Sequence, residues 1–186
     1  SMGESLSRFR TVADAALARH MRVRGYVSCV LGCPYEGSVA PSAVVRVAQE
    51  LIDMGCYEVS LGDTIGTGTP LAAQALLQRV TECVPIDRLA VHFHDTYGQA
   101  LANILAAIQL GVAAIDTAVA GLGGCPYAPG ATGNVATEDV VYMLNGMDIE
   151  SGIDLGKLTA AGQMISAALG RETKSKAAAA IVRKNH

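Results

Sequence analysis

The chain has 186 residues, 51% of them hydrophobic and 17% charged, which is enough apolar material for a sizeable core and too much for a disordered chain. Its net charge is only −3, and the basic stretches Arg171 to Lys176 and Arg183-Lys184 are too weak for a nucleic-acid footprint. No apolar run approaches the roughly 18 residues of a membrane span, and the five cysteines (Cys29, Cys33, Cys56, Cys83, Cys125) are an odd set without CxxC spacing, which argues against a disulfide framework and for a reducing compartment, with the cytoplasm fitting best.

Helical and strand patterns then alternate along the chain. After Ser1-Met2, which reads as a cloning remnant with no charged leader behind it, residues 5–20 carry Phe9, Val12 and Ala16 at helical spacing and lead into a β-forming run at 26–31. A helix is expected over 41–54, a strand over 57–61, a helix over 70–84 and a strand over 89–94. Next comes a helix over 98–110, with Leu101, Ile104, Leu105 and Ile108 as one stripe, and a strand over 113–119. Thr69 suits an N-cap ahead of Pro70, and Thr137 precedes Glu138 and Asp139, acids that suit a positive helix end. Residues 154–169 and 173–183 read as closing helices.

Strand starts near 26, 57, 89 and 113 repeat at roughly the length of one βα unit, and such units build parallel sheets with helices outside. A doubly wound sheet and a (β/α)8 barrel both fit. Gly32-Cys33-Pro34-Tyr35 after the first strand is echoed by Gly124-Cys125-Pro126-Tyr127 after the fourth, a trace that duplicated half-barrels would leave.

Three segments carry chemistry. In Val91-His92-Phe93-His94-Asp95 the alternation of a strand sends His92 and His94 to one side, close enough to share a cation, at the end of a strand where barrel enzymes keep their sites. The bland alternative is a pair of histidines bonded to neighbours. Residues 120–134 hold five glycines and two prolines, so they form a long loop that could present Cys125 and Asn134 to a ligand; Cys125 could equally be a small buried apolar residue. In Ser60-Leu61-Gly62-Asp63-Thr64 the acid ends a strand ahead of a Gly-Thr loop and a helix start that could receive an anion. By parity Asp63 shares a face with Val59 and Leu61 unless Gly62 makes a bulge, and a structural role is as open to it as a catalytic one.

The segments GLGGCPYAPGATGN with VATEDVVYML, VHFHDTYGQALAN, SLGDTIGTGTP and YVSCVLGCPYEG resemble the 3-hydroxy-3-methylglutaryl-CoA lyase family of barrel metalloenzymes, over about residues 5–176. The resemblance implies a TIM-barrel fold, here a single partial domain of about four βα units over 3–150 with C-terminal helices over 151–186. It also implies cleavage of 3-hydroxy-3-methylglutaryl-CoA to acetyl-CoA and acetoacetate. His92, His94 and Asn134 would hold a divalent cation, Cys125 would be the loop thiol needed for turnover, and Asp63 and Glu138 would act near the substrate. A mixed nitrogen and oxygen shell suits Mg2+ or Mn2+, with Zn2+ as the alternative. Asp63 is the candidate base, Cys125 the candidate proton donor, and His92 a second participant in proton transfer.

The expected partner is an acyl-CoA thioester, with no nucleic acid and no membrane. The compartment is the cytoplasm, or the mitochondrial matrix in a relative of that kind. The rival readings are a condensing synthase of the isopropylmalate or homocitrate type, which the Gly-Leu-Gly-Gly-Cys-Pro-Tyr loop disfavours, and a non-catalytic binding fragment. That second rival has weight, because the family's Arg-Asp-Gly segment, which brings a metal-binding Asp and a substrate-binding Arg, has no match here. Four strands also fall short of the eight in a barrel of about 250 residues. The chain alone is therefore expected to be inactive and to form a homo-oligomer.

Overall fold

The computed structural model describes residues 2–124 and 133–184. Strands β1 (Arg24–Val27), β2 (Glu58–Asp63), β3 (Leu89–Phe93) and β4 (Ala114–Ile115) are parallel and lie side by side in chain order. Each parallel step needs a crossover, supplied by helices α2 (Pro41–Asp53), α3 (Pro70–Thr81) and α4 (Ala100–Gln109), while α1 (Met2–Leu17) precedes the sheet. A doubly wound sheet reverses its strand order at a switch point. This one runs in one direction only, as the wall of a (β/α)8 barrel does, and among the described residues it holds four strands of the eight in such a barrel. Helices α5 (Thr137–Gly146), α6 (Leu155–Ala168) and α7 (Lys176–Lys184) follow the last strand.

The two faces of the wall differ because side chains alternate along each strand. Val59, Leu61, Leu89, Val91 and Phe93 point to the helices and pack in one core with Leu51, Leu77, Val80 and Ile104. Burying each such side chain contributes about 1.5–3 kcal/mol. The opposite face, a barrel's interior, carries Arg24, Tyr26, Ser60, Ala90 and His92, and Tyr26 stands 57% exposed there. Among the described residues β1 and β4 each have one unpaired edge.

Several boundaries depart from the expectation for local reasons. The first strand ends at Val27, because Cys29 turns the chain with φ 60°. The fourth pairs only through Ala114 and Ile115; beyond the amide of Asp116, which donates to Val91 O at 2.8 Å, the chain leaves the ladder and touches Ala136 through Ala118 as an isolated bridge. Thr69 makes no capping bond, so the helix start rests on its extended backbone and on Pro70. At α5 the N-cap residue is Ala136, and the Thr137 hydroxyl pairs with that of Thr117 at 2.8 Å. The last helix begins at Lys176 and not Thr173, because Ser175 caps it through Ala178 N, and Asp139 accepts from Ser175 Oγ at 2.7 Å and Ala177 N at 2.8 Å. No helix of the described residues is long and apolar enough to cross a membrane.

Candidate active site

His92 is the fourth residue of β3 and His94 follows its end. Their rings are 5.5 Å apart between centroids, His92 partly exposed and His94 95% buried. His94 also pairs with Asn134 as an antiparallel bridge, and Asp95 N donates to Gly133 O at 3.1 Å. The far end of the 120–134 loop is thereby stitched to the end of β3. Its two ends meet closely: a side chain on Gly133, at φ 109°, would collide with the carbonyl of Gly123. Only glycine fits that neck. Cys125 lies outside the described residues.

Asn134 donates through Nδ2 to Leu122 O at 3.0 Å, and its Oδ1 is buried with no hydrogen-bond partner, as is Nδ1 of His94. Burial, followed by the neighbouring His92, lowers the pKa of His94, and the carbonyl of Thr64 and the side chain of Asn134 oppose this only in part. A neutral imidazole is the form that binds a cation. Among the described residues no three His, Cys, Asp or Glu gather as a metal cluster. Two imidazoles and an amide oxygen with no other partner still suit a divalent ion that draws further oxygen ligands from elsewhere.

Asp63 does not join this group. The β2–β3 register runs without interruption from Val59↔Leu89 to Asp63↔Phe93, so Gly62 makes no bulge and Asp63 stays on the side of Leu61 and Phe93, while Gly62 is the residue beside His92. Its carboxylate is fully buried and accepts from Gly68 N at 2.8 Å. Burial raises its pKa against the backbone donors of Gly68, Thr67 and Gly66. In the structure Asp63 braces the Gly66–Gly68 turn, which Asn103 holds from the other side through Gly68 O at 2.9 Å.

Glu138 is likewise fully buried, and both its oxygens lie 3.0 Å from Ala120 N. Ala120 sits at φ 55° in the short 3-10 turn Val119–Gly121, a conformation costly for a residue with a Cβ. The carboxylate holds that strained turn at the start of the loop, so Glu138 positions the loop.

Three residues absent from the expected site complete its floor. Arg24 Nη1 lies 2.9 Å from the carboxylate of Asp116, Ser60 Oγ donates to Asp116 Oδ2 at 2.7 Å, and His92 Nδ1 is 3.6 Å from the same oxygen. Arg24 also pairs with Glu58. Burial pushes the Asp116 pKa up, but His92, Ser60 and Arg24 outweigh it and hold the group down at about 2. Burial likewise opposes the charge on Arg24, and its bonds to Tyr26, Glu58 and Asp116 raise its pKa further. The available signal was parity. It reached Ser60 and Asp116, which lie on alternate positions of the runs at 57–61 and 113–119, whereas Arg24 stands ahead of the run at 26–31 and joins β1 only in the structure.

The HMGL-like family model matches residues 1–165. The mitochondrial hydroxymethylglutaryl-CoA lyase of Arabidopsis thaliana is 62% identical over 181 residues, 97% of this chain and 39% of that protein. The 3-hydroxy-3-isohexenylglutaryl-CoA/hydroxy-methylglutaryl-CoA lyase of Pseudomonas aeruginosa is 59% identical over 99% of this chain and 61% of its own length. A crystal structure of hydroxymethylglutaryl-CoA lyase from Pseudomonas aeruginosa superposes with a TM-score of 0.96, at 59% identity, over 99% of this chain and 61% of that one. The chain spans between 39% and 61% of the length of the curated relatives it matches. With the strand order of a barrel wall, and the paired histidines and their loop at its end, the chain belongs to the HMGL-like family.

Proposed function

We propose that the chain is the histidine-bearing half of a lyase that cleaves 3-hydroxy-3-methylglutaryl-CoA into acetyl-CoA and acetoacetate. The observation that carries this reading is the convergence of His92, His94 and Asn134 at one end of the strands, against the neck of the loop that contains Cys125. The relatives' names support the substrate, an acyl-CoA thioester.

His92, His94 and Asn134 would hold a divalent cation, Mg2+ or Mn2+ first and Zn2+ as the alternative, which when bound supplies Lewis acidity toward the substrate hydroxyl. The hydroxyl proton passes to a base, for which Asp63 is the candidate of this chain with His92 able to share the transfer, the carbonyl of acetoacetate forms, and the electrons of the broken bond pass to the acetyl thioester, which takes up a proton. Cys125 is the group of this chain proposed to deliver that proton or to close the loop against water. Glu138 and the Gly123–Gly133 neck set where the loop begins and ends. Asp63 keeps the Gly66–Gly68 turn in place beneath the helix start of α3. A reducing compartment suits a loop thiol that must stay unoxidised.

The test is a chimera in which the part of the Pseudomonas aeruginosa lyase not covered by this chain is fused ahead of it. With Mg2+ or Mn2+ added, release of acetyl-CoA is expected from the chimera and not from the chain alone. A folded chimera that binds the thioester without cleaving it would overturn the proposal.

A further inference from the structure

A histidine that ligates a metal through one ring nitrogen needs its other nitrogen held, or the tautomer and the ring angle are left unset. His92 has such a partner in the fold. Its Nδ1 faces Asp116 Oδ2 at 3.6 Å, a gap that becomes a hydrogen bond with less than an ångström of side-chain movement. The pairing follows from register: Ala90 stands beside Ala114 and Val91 beside Ile115, so the next step brings His92 beside Asp116.

The carboxylate is not at liberty to turn away. Ser60 Oγ reaches its Oδ2 from the neighbouring strand β2 at 2.7 Å, and Arg24 Nη1 reaches it from β1 at 2.9 Å. Arg24 is itself fixed by Glu58 and by the hydroxyl of Tyr26 at 2.6 Å. Residues of two strands, β1 and β2, thus anchor one oxygen acceptor against Nδ1 of His92.

We propose that Asp116 is a positioning residue for His92: anchored by Arg24 and Ser60, it accepts the Nδ1 proton and so presents Nε2 at the mouth of the strands. This rests on the reading of His92 as a ligand, and it adds to that reading the nitrogen used and the residue that selects it. A carboxylate present only to pair with Arg24 would leave the tautomer of His92 at its ordinary preference.

The tautomer is read directly from long-range 1H–15N spectra of the full chain labelled at histidine, at about pH 8, above the ordinary imidazole range. The expected result is His92 protonated on Nδ1, moving toward the Nε2-protonated form in Asp116→Asn with the circular dichroism unchanged. Mn2+ affinity, measured by titration, should fall about 10–100-fold in that variant. An Nε2-protonated His92 in the unaltered chain overturns the proposal, and this measurement needs no variant to fold. A tautomer unchanged by Asp116→Asn overturns it as well. Failure of the unaltered chain to bind Mn2+ would count against the metal reading alone, since the tautomer stands as a separate result.

Discussion

Arg24 and Asp116 are 92 residues apart in the chain, yet their side chains meet at 2.9 Å across the inner face of the wall. The contact joins the two outermost strands of the sheet over the top of Ser60, and both partners are largely buried, at 19% and 23% side-chain exposure.

Breaking this pair should make stability depend on pH in a defined way. The Asp116 pKa in the fold, about 2, lies below its ordinary 3.8, so the contribution is complete above 3.8 and is lost as pH falls through about 2. In Arg24→Met the buried carboxylate loses its main partner, at a cost of about 1–3 kcal/mol near pH 7. Urea unfolding should show the gap between variant and parent narrowing from about pH 4 to pH 2. A gap that stays constant over that range would remove the pair from the account of stability.

Asp63 is predicted to tolerate Asn and not Ala. Burial raises its pKa and so disfavours the charge that Asn lacks, and Asn keeps the acceptor that Gly68 N needs. Asp63→Ala leaves that N–H buried and unpaired, at about 1–3 kcal/mol. Thermal unfolding compares the two, and equal losses would mean that Asp63 does not act through its hydrogen bond.

Gly162→Ala should loosen the loop without touching it. An added Cβ at Gly162 collides with Glu138 Oε1, pushing the carboxylate off Ala120 N. Faster hydrogen exchange at the Ala120 amide is expected, with a stability loss of about 1–3 kcal/mol. Unchanged exchange there would show that the turn holds itself without Glu138.

The chain alone should self-associate. The open edge of β1 is flanked by an apolar groove of Phe9, Val12, Val23 and Tyr26, and that of β4 by one of Ile115, Val141, Leu144 and Ile153. Pairing β1 of one copy with β4 of another, twice, continues the strand order and covers both grooves. Light scattering on purified chain tests this, and a monomer that persists as concentration rises would contradict it.

The alternation of helices and strands was legible because hydrophobic period survives in every element, and the histidine pair because two imidazoles two residues apart on a strand must share a face. The ends of elements were not. They depended on Cys29 at positive φ, on Asp139 reaching the start of α7, and on the ladder of β4 running out, all events between distant residues. For Asp63 both a substrate role and a turn role were legible, because a carboxylate at a strand end suits either, and the uninterrupted register with the Gly68 contact adds the turn role. Asp116 escaped notice because a single acid in Ala114-Ile115-Asp116 acquires its meaning from Arg24 and Ser60, which no local pattern links to it.

Strand order also bears on how the wall comes into being. Each ladder joins neighbours in sequence, and the first pairs residues 34 apart, so closing each loop costs little entropy beyond that of the one before. Within this stretch, assembly can advance from β1 to β4 with no distant partner awaited. The Arg24–Asp116 link, spanning 92 residues, is satisfied only when the fourth strand has docked. It works as a clasp fastened last, and the floor beneath His92 takes its shape at the moment the wall is complete.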